Sequence, residues 1–222
     1  NILQPGADLA GALAPTFSLK PRSFLEWISD LLEPKECLVK ASKISNPEKR
    51  MLSVLKYILE AVASMPQQGV QQVKGYNPIL GEIFECSWQH ASSTTTFVGE
   101  QVSHHPPISA CYMENKSAGF QVEVVFQPKI KFHGSIIGPY VQSHMEGSIY
   151  IHLTPLKEKY EIKLPYYACR NLFLGGSFCE LNDQLTITCS NGLSSTVNFK
   201  PKSKNKLSGE IIDGNKTVLY RF

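Results

Sequence analysis

Two hydrophobic periodicities divide the chain. Phe24, Trp27, Ile28, Leu31 and Leu32 recur at helical spacing behind Ser23, which has Glu26 three residues on as a candidate capping box. A longer helical stripe starts at Asn46-Pro47, runs through Met51, Leu52, Leu55, Ile58, Leu59, Val62 and Ala63, and stops before Pro66. Beyond Ile79 the period becomes two. Segments near 79–88, 94–102, 108–113, 120–126, 130–132, 148–153, 160–164, 184–189, 195–199, 207–212 and 217–222 are β-rich and bounded by Gly, Pro, Asn or Asp. Short strands in unbroken succession predict an antiparallel meander or barrel, and no helical crossover supports a parallel sheet. The expected class is mainly β with N-terminal helices (α+β), in one domain. The polar helix faces mix both charges, so the helices are expected to pack against the outside of the barrel rather than lie on a membrane.

The opening, Asn1 to Phe17, scatters Ile2, Leu3, Leu9, Leu13 and Phe17 among glycines, alanines and two prolines. It is apolar without being a good helix, which fits either a packed arm or a mobile flap.

The net charge is +3, with basic residues spread along the chain and no aromatic platform, so there is no case for nucleic acid. Weak attraction to anionic membranes is the most that charge supplies. The six cysteines form no CxxC pair, which argues against structural zinc, and a chain of 222 residues has no need of a disulfide framework. Free thiols and a cytosolic setting are therefore expected. No apolar run approaches the roughly 20 residues of a membrane-spanning helix.

The chemistry concentrates in Glu100-Gln101-Val102-Ser103-His104-His105-Pro106-Pro107. The two prolines should end or bend the strand, placing both histidines at a rim where their ring N–H groups can converge on an anion. Such a pair can also be two solvated neighbours. Ser103 beside His104 does not make a nucleophilic pair, because adjacent strand residues face apart and no GxSxG elbow is present, so no enzyme is expected. No third ligand stands at a metal-binding spacing from the histidines, and neither metal nor cofactor is called for.

Glu100–Pro107 resembles the signature octapeptide of the oxysterol-binding-protein-related family. Lys74-Gly75-Tyr76-Asn77-Pro78-Ile79-Leu80-Gly81-Glu82 is similar to the family's lysine-x-x-asparagine-proline-x-x-glycine-glutamate segment, with Gly75 where proline is common. Ala14–Phe17 followed by Pro21–Glu26 resembles the family's lid-to-helix junction. The resemblance implies an incomplete β-barrel around an apolar lipid tunnel, with residues 1–21 as lid and junction, 22–66 as a helical layer and 76–222 as the barrel. It implies that a sterol or phosphatidylserine alternates with phosphatidylinositol 4-phosphate, in transfer between membranes or in lipid sensing without net transport. Lys74, alone an ordinary solvated lysine, becomes a phosphate ligand with His104 and His105. Asn77 either offers its amide to the headgroup or caps the turn. Leu9, Leu13, Thr16 and Phe17 become lid and tunnel residues. The implied setting is cytoplasmic and peripheral at organelle membranes. A further segment is implied beyond Phe222, where Thr217–Phe222 reads as a strand in progress; without it, apolar barrel surface and a strand edge would lie open to association.

Overall fold

The computed structural model describes residues 19–64, 74–134, 140–170, 178–200 and 206–222. Strand β1 (Leu19–Ser23) leads into helices α1 (Phe24–Leu31), α2 (Glu36–Ala41) and α3 (Pro47–Ala63), and β2 (Lys74–Tyr76) returns to lie parallel to β1. Twelve strands then form one sheet: β3 (Ile83–Gln89), β4 (Thr94–His104), β5 (Pro107–Asn115), β6 (Phe120–His133), β7 (Tyr140–Glu146), β8 (Ile149–Leu153), β9 (Glu158–Lys163), β10 (Tyr166–Arg170), β11 (Phe178–Cys189), β12 (Ser194–Lys200), β13 (Lys206–Ile212) and β14 (Val218–Arg221).

All pairings within this sheet are antiparallel, and spatial order follows chain order. β7 and β8 together line one side of β6, while β10 and β9 together line one side of β11. Each couple acts as one long strand broken near its middle. The first break is at Gly147, which has φ +121°; a Cβ there would come within 1.9 Å of the Val125 carbonyl oxygen, so only glycine permits the approach. The second break falls at Pro165, which has no N–H to give a ladder. The edges β3 and β14 do not pair with each other, so the barrel is incomplete.

Strand alternation produces one apolar face. In β5 and β6, Met113, Phe120, Val122, Val124 and Phe126 are buried while their neighbours are more open. The helices bury Ile28, Leu38, Met51, Val54 and Ile58 in the same cluster. They therefore lie on the inner, apolar face of the sheet, not on the outside as the sequence suggested. The outer positions Glu114, Gln121, Glu123 and Glu161 could not have covered an apolar helix stripe.

Ser23 caps α1, its Oγ accepting from the Leu25 N–H at 3.3 Å, and Asn46 caps α3, accepting from Lys49 at 2.9 Å with Pro47 in the first turn. Glu26 binds Arg22 (2.8 Å) rather than completing the expected box. The sequence pattern also passed over α2, β1, β2, β7 and β10. Arg50 of α3, 5% exposed, forms a two-armed ion pair with Glu158 of β9 and fastens the helices to the sheet. Cys169 and Cys179 are cross-strand partners joined in a disulfide, where six thiols were expected; a directly opposed cross-strand pair brings the two sulfurs together. Among the described residues no helix is long and apolar enough to cross a membrane.

Candidate functional site

The octapeptide forms the end of the β4–β5 hairpin. β4 stops at His104, β5 starts at Pro107, and His105-Pro106, joined by a cis peptide bond, make the turn. The prolines thus end one strand, as expected, and also open the next. Pro107 is tolerated as the first residue of β5.

Register determines which way His104 faces. From Thr96 to Gln101 each residue of β4 sits opposite a β5 partner in regular order, with Gln101 facing Ser109. Ser103 then faces Ile108 and His104 faces Pro107, so Val102 is an extra residue in a β-bulge. The bulge turns His104 to the inner side with Gln101, where unbroken alternation would have left it outside. Ser103 consequently faces away from His104, and no serine–histidine pair forms. Gln101, 1% exposed, holds the bulge: its amide donates to the Ser103 carbonyl (2.8 Å) and its Oε1 accepts from the Ser109 hydroxyl (2.5 Å).

The segment Asn77–Glu82 comes up beside this hairpin. The Gly81 N–H donates to the Gln101 carbonyl (2.9 Å), and the Gln101 N–H donates to the Glu82 carbonyl (3.0 Å). Glu82 is fully engaged within the fold. One carboxylate oxygen accepts from the Ser23 hydroxyl (2.5 Å) and the other from the Ile79 N–H (3.1 Å). Helix cap, loop and hairpin are thereby joined. His104 Nδ1 lies 3.2 Å from the Pro78 carbonyl oxygen, and the rings of His104 and His105 meet edge to face with centroids 4.6 Å apart.

Of the residues expected at the site, His104, His105 and Asn77 come to one end of the sheet, Asn77 exposed beside buried Pro78. Lys74 lies in β2, opposite Leu19 and four residues before Pro78, or at most about 14 Å of extended chain. Gly75 packs tightly there, since a Cβ would stand 2.9 Å from the Arg22 carbonyl oxygen. Leu9, Leu13, Thr16 and Phe17 lie outside the described residues.

A carbonyl oxygen only accepts, so the contact with Pro78 puts a proton on Nδ1 of His104. Nε2 can then donate to an anion only in the imidazolium form. Two imidazolium rings this close repel one another unless an anion shares them. The nearby guanidinium of Arg22 is committed elsewhere: Asp30 (2.6 Å) and Glu26 (2.8 Å) hold it and raise its pKa. Glu82 and Gln101 were the residues that sequence reasoning passed over. Both stand inside the quoted motifs, and their fixed places there were the available signal.

Among the described residues no group of three or more His, Cys, Asp or Glu gathers as a metal cradle. An open recess of about 670 Å³, lined by Gln89, His90, Ser93, Glu114 and Lys116, lies at the opposite end of the β3–β4 hairpin. Its floor is a structural network in which Asn115 donates to Ser93 (3.0 Å) and Thr95 (2.9 Å).

The family model for oxysterol-binding proteins matches residues 1–222. The chain belongs to this family. It is 36% identical to mouse oxysterol-binding protein-related protein 5 over 226 residues, covering 97% of this chain and 25% of that protein. With Dictyostelium discoideum oxysterol-binding protein 4 it shares 35% identity, covering 97% and 47%. The chain thus spans between a quarter and a half of these family members. Among solved structures, the Osh1 ORD domain in complex with ergosterol superposes with a TM-score of 0.82 at 24% identity, over 97% of this chain and half of that one. The Osh3 ORD of Saccharomyces cerevisiae in complex with PI(4)P gives 0.76 at 20%, over 97% and 62%. At these identities the likeness is one of fold, and it places the chain's open antiparallel sheet within the family's architecture.

Proposed function

We propose that this chain is a lipid-binding module that takes phosphatidylinositol 4-phosphate, with its phosphorylated headgroup held by His104 and His105 and supported by Lys74 and Asn77. The observation that carries this reading is the meeting of the two family motifs at one end of the sheet, through the contact of His104 with Pro78. Paired imidazoles in imidazolium form suit a phosphate dianion. Family relatives in complex with ergosterol and with PI(4)P support one apolar interior used alternately by a phosphoinositide and a second lipid, a sterol or phosphatidylserine. In this reading Leu9, Leu13, Thr16 and Phe17 cover the bound lipid. In the same reading the module exchanges these lipids between membranes, at the cytoplasmic surface of organelles. No bond is made or broken, so the module is not an enzyme.

The test is the double substitution His104→Ala/His105→Ala. Two charge-assisted hydrogen bonds of about 1.5–3 kcal/mol each correspond to more than about a hundredfold in affinity for a short-chain phosphatidylinositol 4-phosphate. Titration calorimetry should show that loss while thermal unfolding moves by only a few degrees. Full affinity in the folded double variant would refute the assignment.

A further inference from the structure

The turn that meets His104 carries a feature the headgroup reading does not use. Ile79-Leu80-Gly81-Glu82 is closed by the Glu82 N–H donating to the Ile79 carbonyl (3.0 Å), with Gly81 at φ +78°, the arrangement of a type II turn. It is fixed by main-chain bonds to Gln101 and by both oxygens of the Glu82 carboxylate. Yet this well-anchored turn leaves Ile79 70% and Leu80 64% exposed. Ile83 (60%) and Val102 (46%) stand exposed at the same end of the sheet, on its outer face. Isolated exposed aliphatics need no explanation, whereas a rigid loop presenting two adjacent large ones beside a polar site marks a contact surface.

The geometry next to the turn indicates what that surface touches. Pro78, whose carbonyl oxygen meets His104, directly precedes Ile79, so the aliphatic tip adjoins the residue that His104 touches. A bilayer surface has the same two-layer chemistry, with a phosphate layer over hydrocarbon. A protein partner with an apolar pocket would match the aliphatic pair but not the phosphate donors beside it. Within the turn the only acidic side chain, Glu82, is folded back onto Ser23 and the Ile79 N–H, so the tip itself presents no carboxylate to an anionic surface; the nearest exposed one, Glu100, stands behind it on β4 opposite Ile83.

We propose that the Ile79–Leu80 turn is a membrane-insertion element that enters the headgroup–acyl boundary of a phosphoinositide-containing bilayer, while His104 and His105 face its phosphate layer. The orientation rests on the headgroup reading above; the insertion is tested separately. The 222-residue chain is mixed with phosphatidylcholine vesicles containing phosphatidylinositol 4-phosphate, and in parallel titrated with the dioctanoyl form of that lipid in solution. Ile79→Asp/Leu80→Asp should lower vesicle co-sedimentation at least about tenfold and leave dioctanoyl binding unchanged. In a second variant, Leu80→Trp, the introduced indole should shift its emission to the blue on vesicles and be quenched by brominated acyl chains, beyond any change from Trp27 and Trp88 in the parent chain. Undiminished vesicle binding by the aspartate variant, or an indole that brominated lipid does not quench, overturns the proposal and leaves a protein surface as the partner of the turn. If instead His104→Ala/His105→Ala keeps dioctanoyl binding, the headgroup reading fails alone and the quenching still decides insertion.

Discussion

His104 Nδ1 stands 3.2 Å from the carbonyl oxygen of Pro78, and this contact fixes what the ring can do on its other side. With the Nδ1 proton committed to Pro78, Nε2 carries a proton only when the ring is cationic. A phosphate held through Nε2 is thus held by a ring that keeps its bond to Pro78. Substitution can tell the two nitrogens apart, because a glutamine amide reaches the position of Nε2 and an asparagine amide that of Nδ1. We expect His104→Gln to keep more of the affinity for short-chain phosphatidylinositol 4-phosphate than His104→Asn, as read by titration calorimetry. Equal losses in the two folded variants would mean that Nε2 is not the donor to the phosphate.

Gln101 acts at one remove from the proposed headgroup site. Its amide stabilises the bulge that turns His104 inward, through the Ser103 carbonyl and the Ser109 hydroxyl. Gln101→Leu keeps the buried volume but leaves those two groups without their partner, at a cost of about 1–3 kcal/mol in stability. Because the bulge then loses its side-chain support, headgroup affinity should fall at least about tenfold while unfolding stays cooperative. Denaturant titration and lipid binding on the same sample separate the two effects. Unchanged affinity in a destabilised variant would show that the main chain alone holds the bulge.

Most of the β-rich half was legible because alternation survives wherever one face is buried, as at Met113 to Phe126. β7 was not, since Gln142, His144 and Glu146 point outward while Ser143 interrupts the inward set, leaving a weak apolar rhythm. β10 is short and begins just after Pro165, where the break in the long strand hides its continuity with β9. The motif residues of the candidate site could be picked out in the sequence, but their geometry could not. No periodicity announces the extra residue Val102, and the burial of Gln101 depends on Ser109, eight positions away. Helix placement failed for a different reason: an apolar stripe specifies that it must be covered, not which face of a curved sheet covers it.

Arg50 and Glu158 join the helices to the sheet across 108 positions of chain, and their pairing makes the most direct test of that attachment. Arg50 donates through Nε to Glu158 (2.8 Å) and through a second nitrogen to the other carboxylate oxygen, while Nη1 reaches the carbonyls of Ile44 (2.6 Å) and Ser45 (2.8 Å). Tyr160 (2.9 Å) and Asn191 (3.0 Å) also donate to the carboxylate. Burial alone would raise the Glu158 pKa, but the bonds from Arg50, Tyr160 and Asn191 outweigh it and hold the group below its ordinary value. A carboxyl lowered in the folded state stabilises the fold above its unfolded pKa, and that contribution disappears as pH falls through the folded one. Arg50→Met should therefore cost about 3–5 kcal/mol near neutral pH, where a buried anion is left without its cation. The penalty should shrink towards about pH 4, where protonation relieves the unpaired charge. Adding Glu158→Leu to Arg50→Met should recover much of the loss at neutral pH, since no charge then remains buried. Urea unfolding of the parent chain and both variants at the two pH values decides the matter. A penalty below about 1 kcal/mol, or one that does not change with pH, would mean that apolar packing alone holds α3 against the sheet.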